Sequence, residues 1–154
     1  MPDWQMTSQC LAPAGGRVLH KAERLGRVWI VIHLGIELVE ERIPRDWLEL
    51  HDNPFPPMEL GELLPGRPPY TGDESLVDMR FDFEETFEES LYVFSRHNPV
   101  QLRSLTFSAG NHAGWLQCEG RMTLDFQFEL GLGEVEWDFA TEVEVMSYEA
   151  FEDL

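Results

Sequence analysis

Lysine is nearly missing from this sequence: one stands beside ten arginines, and together they face 29 acids. The formal net charge of −18 opposes direct binding to nucleic acid or an anionic membrane and favours capture of basic partners. The excess is uneven. Residues 1–70 hold ten acids and seven bases, whereas residues 71–154 hold nineteen and four. Cysteine is scarce too. Cys10 and Cys118 lie far apart and match no metal-ligand spacing, so free thiols in a reducing cytosol are the simpler reading, with a single bridge left open. Long apolar runs are absent: "VWIVIHLGI", Val28 to Ile36, falls far short of the roughly eighteen residues that span a bilayer. The N-terminal "MPDWQMTSQC" has no basic patch followed by an apolar stretch, so no secretory signal is expected. These absences point to a soluble, cytoplasmic protein with no membrane partner.

Catalytic signatures are lacking as well. "GLGEVEW" has two glycines of a phosphate-binding fingerprint but no third, and it joins strand to strand. His20, His33, His51, His97 and His112 form no i, i+4 pair and no HExxH-like motif. His33 lies in the apolar run and reads as a packed core residue, while His112 sits on an expected loop. Asp78, Asp82 and Glu84 share one strand face, but Arg80 stands among them and offers neutralisation in place of a metal. We therefore assign no catalytic residue, no cofactor and no metal. A small metal-dependent or His/carboxylate enzyme, gathering His112 or His97 with carboxylates, is the first alternative. A self-associating structural or adaptor protein is the second.

What is present builds a core. Hydrophobic residues make up 43% of the 154-residue chain, with ten Phe and five Trp, enough for a single domain over residues 1–154. Residues 1–16, with Pro2, Pro13, Gly15 and Gly16, read as an arm or a frayed edge strand. "RVWIVIHLGIELVEERI" suits a central strand. Pro44 breaks it, and "RDWLELHD" suits a short helical turn. Residues 53–70 hold six prolines and two glycines and are expected to form an ordered loop over the surface. Val77, Met79, Phe81 and Phe83 alternate as in a strand; the spacing of Phe83, Phe87, Leu91 and Phe94 then favours a helix ended by Pro99.

The last third is the most regular. Met122, Leu124, Phe126, Phe128 and Leu130 alternate inward, and a two-residue type II′ turn at Gly131 leads into Val135, Trp137, Phe139, Val143 and Val145. Pairing Leu130 with Gly133 places Phe126 beside Trp137 and Leu124 beside Phe139. The fold class is thus α+β or mainly β: an antiparallel sheet with a C-terminal hairpin and one short helical segment.

This hairpin collects Asp125, Glu129, Glu134, Glu136, Asp138, Glu142 and Glu144 on its outer face, softened by Thr123, Gln127, Ala140 and Arg121. Charges about 6.8 Å apart along a strand repel by about 0.6 kcal/mol in water, less in salt. The row is affordable to a fold, so it reads either as a solvated surface or as a docking face for a basic protein. Nucleic-acid mimicry is conceivable from the same spacing. Trp4 and Trp47, in irregular segments, are candidate exposed anchors.

In size, in charge and in its "EVEWDFATEVEV" face, the chain resembles the small acidic immunity proteins that neutralise bacterial toxins. The resemblance implies an antitoxin-type inhibitor, not an enzyme, that occludes a basic cleft on a toxin or nucleic-acid-processing enzyme. The seven acids of the hairpin would make the contacts.

Overall fold

The computed structural model describes residues 4–24, 27–49, 58–65, 75–83 and 88–146. Alternation of Ile30, Ile32, Leu34 and Ile36, all buried, makes Arg27–Leu38 a strand, since period two puts these side chains on one face. The described residues form eight strands: β1 (Leu11–Arg24), β2 (Arg27–Leu38), β3 (Met58–Pro65), β4 (Arg80–Asp82), β5 (Glu88–Val93), β6 (Arg96–Ala109), β7 (Trp115–Asp125) and β8 (Glu134–Val145). They form one sheet in the order β3-β2-β1-β8-β7-β6-β4, with β5 also paired to β6. Every pairing is antiparallel except β1 with β8, which run parallel through Arg17↔Glu144 and Val18↔Val145. β3, at one edge, comes against β5, at the other. The sheet therefore rolls on itself, and its concave face holds the core.

That core gathers Phe107, Leu105 and Leu102 of β6, Cys118, Met122 and Leu124 of β7, and Val135, Trp137, Phe139 and Val143 of β8. Two helical turns, α1 (Arg45–Leu48) and α2 (Gln127–Leu130), are short. The molecule is mainly β, as its alternating segments imply. No helix among the described residues is long and apolar enough to cross a membrane. Cys10 and Cys118 are both free and buried.

Several local expectations need correction. Over residues 88–93 the anticipated helix is a strand, β5 pairing antiparallel with β6 from Glu88↔Gln101 to Val93↔Arg96; residues 84–87 lie outside the described residues. Leu91 and Val93 point inward while Ser90 and Tyr92 point out, so period two overrides the 4-4-3 spacing. Pro99 ends no helix; it lies within β6 opposite Ser90. Phe94 and Ser95 form the tight turn, both with positive φ, 53° and 60°. The Phe94 ring packs against Trp47 at 5.3 Å and Trp4 at 6.4 Å, and Trp4 meets Trp47 at 5.9 Å. These two tryptophans are thus partners in an aromatic cluster and not exposed anchors. Strand β3 occupies part of the proline-rich stretch 53–70; the remainder lies outside the described residues. Within 1–16, Met6, Cys10 and Leu11 are buried, and β1 runs between β2 and β8. His33 faces away from the row of buried isoleucines and is half-buried.

Candidate functional site

The C-terminal hairpin forms, with a different turn and register. β7 pairs with β8 from Trp115↔Glu144 to Asp125↔Glu134, so Trp137 faces Met122 and Val135 faces Leu124. β7 ends at Asp125 because the chain there winds into α2. One oxygen of the Asp125 carboxylate, Oδ1, accepts the backbone N–H groups of Gln127 (2.9 Å) and Phe128 (3.1 Å). Gly131 closes the turn at φ 67°, a left-handed conformation that glycine adopts without cost. The two-residue type II′ turn does not form. Phe126 is buried, but Phe128 is 74% exposed and Leu130 half-buried, so the inward run of apolar residues stops at Phe126.

Faces are unaffected by this slip, since an even shift keeps every side chain on its side. Along β8, Val135, Trp137, Phe139 and Val143 are buried, while Glu134, Glu136, Asp138 and Glu144 are exposed and Glu142 is half-buried. The structure brings these five acids into one outward row. Glu129 is not in it: it sits exposed on α2, beyond the strand end. Asp125 borders the row opposite Glu134, with its carboxylate engaged in the turn.

Arg121 of the neighbouring strand neutralises part of the row. The Arg121 Nε lies 2.9 Å from Glu136 Oε2 and 3.4 Å from Asp138 Oδ1, half-exposed. Arg103 is the extra residue of a bulge in β6, where the register shifts between Leu102 and Ser104. Its Nε donates to Thr123 Oγ1 at 3.0 Å, and that hydroxyl donates to Glu136 Oε1 at 3.2 Å. On β4, Arg80 makes a forked contact with Asp82 at 2.9–3.2 Å, and the hydrogen bond with that carboxylate raises the guanidinium pKa further above its ordinary value. Among the described residues, Glu134 and Glu144 show no such tie.

Between these groups lies an open cleft of about 530 Å³, lined by Arg80, Ser104, Thr106, Glu119, Gly120, Arg121, Asp138, Phe139 and Ala140. Small residues on the outer face of the three central strands make it a depression. Gly120 is required at its floor, because a Cβ there would collide with the Ser104 carbonyl and stand 2.8 Å from Phe139 Cζ. No histidine stands among the described residues that line the cleft. His97 hydrogen-bonds Ser90 (3.3 Å) under the Tyr92 ring, near the start of β6. His112 follows the end of β6, with Nε2 3.5 Å from Glu142 Oε2 and its ring edge-on to Trp115. Some twelve residues of strand, on the order of 40 Å, separate the two. No group of three or more His, Cys, Asp or Glu among the described residues is arranged to hold a metal ion.

Sequence reasoning passed over Arg103 and Phe128. Arg103 follows Leu102 at a position where strict alternation places it on the other side from Ser104; only the bulge turns both outward. Phe128 continues the inward alternation on paper, and the break comes from the Asp125 cap. The signal was the pair Asp125 and Gly131 bracketing five residues, a capped turn of helix. The chain matches no protein family, no curated protein and no solved structure.

Proposed function

We propose that the chain is a non-enzymatic binding protein that captures a strongly basic protein through the outer face of β7 and β8, in the manner of an immunity protein occluding a toxin. One observation supports it above others: Glu134, Glu136, Asp138 and Glu144 stand exposed in a line on a strand whose other face buries Val135, Trp137, Phe139 and Val143. The sheet therefore fixes the backbone from which the row projects, and docking exchanges Arg121 at Glu136 and Asp138 for a partner's cations. Steering by such a surface raises association rates about 10- to 10³-fold and fixes orientation. Arg121 reduces the row's charge without cancelling it: it pairs with Glu136 and Asp138, while among the described residues no ion pair engages Glu134, or Glu144, whose register neighbour on β1 is Arg17.

The test uses the basic protein that the chain retains from an extract of its own cells, mixed with the chain by stopped flow from 50 to 500 mM NaCl. Association is expected to slow at least tenfold over that range, as the Debye length shrinks. The triple variant Glu134→Lys, Glu136→Lys, Glu144→Lys should slow it comparably at 50 mM. Rates insensitive to both salt and charge reversal would remove this face from any role in capture.

A further inference from the structure

We propose that Phe128 is the apolar anchor of this docking surface and enters a recess on the basic partner whose rim carries Lys or Arg side chains. The inference rests on the reading of the acidic face as a protein-docking surface.

Among the described residues, Phe128 (74% exposed) and Tyr92 (52%) are the exposed large hydrophobics. Tyr92 has its ring against His97, 4.9 Å between centroids. Phe128 shows no comparable ring contact. A lone exposed Phe is ordinary on a protein surface; what sets Phe128 apart is how firmly its turn is built. Phe126 and Leu132, on either side, are fully buried. Phe126 N–H donates to the Gly133 carbonyl and Leu132 N–H to the Phe126 carbonyl, both at 2.9 Å. Gln127 Oε1 accepts the Gly133 N–H at 2.9 Å, Met6 N–H donates to the Leu132 carbonyl at 2.8 Å, and Asp125 secures the Phe128 N–H itself. The backbone that presents the ring is thus tied from five directions. Rigid presentation limits the ordering cost of binding, and aromatic residues so placed are typical of interface hot spots.

The surroundings specify the occupant. Glu129 adjoins Phe128 on α2, and Glu134 begins the acidic row at the same end of the hairpin. An anionic membrane or a nucleic acid would be repelled by these carboxylates, and a second copy would bring the same acids against themselves. An apolar recess with a cationic rim satisfies both the ring and the acids.

The probe is the basic protein that the wild-type chain retains from an extract of its own cells and that the triple reversal Glu134→Lys, Glu136→Lys, Glu144→Lys does not. Phe128→Ala is expected to speed its dissociation at least tenfold, leaving the association rate and its salt dependence unchanged, with Phe128→Leu intermediate. Because the side chain is exposed, the melting temperature should stay at the wild-type value. Dissociation of Phe128→Ala at the wild-type rate would overturn the anchor while leaving the acidic docking face intact. If no protein is retained in this charge-dependent way, docking face and anchor fall together.

Discussion

Asn98 is fully buried, three residues beyond the turn at Phe94 and Ser95. Its Nδ2 donates to the carbonyls of Leu91 (3.2 Å), Val93 (3.3 Å) and Arg96 (3.0 Å). These contacts brace a turn whose two central residues, Phe94 and Ser95, sit at positive φ, a conformation that costs a non-glycine residue about 1 kcal/mol or more. Asn98→Ala strips the partners from those buried carbonyls and should destabilise by about 1–3 kcal/mol. Asn98→Asp should cost more, since it turns a carboxylate onto three carbonyl oxygens; urea unfolding midpoints of the two variants give the order. Cys118 makes a second prediction at this scale. Burial, with Glu119 adding to it, pushes its thiol up to about 12. The group is neutral in both states below about pH 8.5, its ordinary value. Above that, the unfolded chain ionises while the fold resists, so this contribution to stability falls by about 1.4 kcal/mol per pH unit until the folded value is reached. The gap in stability between wild type and Cys118→Ala should therefore change with pH above 9 and stay flat from 6 to 8, read from unfolding curves across that range.

At the level of elements, the turn from β7 to β8 separates two roles that the sequence merges. Asp125 reads as a docking acid beside Glu134, yet its carboxylate caps α2 through two backbone N–H groups. Asp125→Ala should lower stability by about 0.5–2 kcal/mol, visible as a lower melting temperature, with little change in partner association; Asp125→Asn should retain most of the cap. The inner and outer faces of β8 were legible from Val135, Trp137, Phe139 and Val143 alternating with acids. The register was not, because period two is blind to even shifts: Trp137 opposite Met122 and Trp137 opposite Phe126 present identical patterns. Tertiary pairing likewise decided residues 88–93, where Leu91 served a helical spacing and a strand alternation equally well. Arg96 to Gln101 offered β5 a full ladder, which a four-residue-spaced apolar stripe alone cannot match. The parallel pairing of β1 with β8 links segments more than a hundred residues apart and leaves no local trace.

Across the whole molecule, the charge asymmetry visible in the sequence acquires an arrangement that counting could not supply. The second half of the chain has four bases, and three of them, Arg80, Arg103 and Arg121, stand on the same sheet face as the acids. Arg121 is central, reaching both Glu136 and Asp138. Its effects on folding and on capture should have opposite signs. In the folded chain it relieves repulsion between neighbouring carboxylates, a half-exposed contribution of about 0.2–1 kcal/mol that salt weakens. Toward a basic partner it is a like charge in the middle of the attractive surface. Arg121→Gln should therefore lower the melting temperature at 20 mM salt, with the deficit shrinking at 500 mM, while raising the association rate with the basic partner by about two- to fivefold. A side chain that served the fold alone would leave the rate unchanged or reduce it. A lower melting temperature joined to faster capture has one physical source, an acidic face kept partly neutralised by its own arginine until a partner's cations replace it.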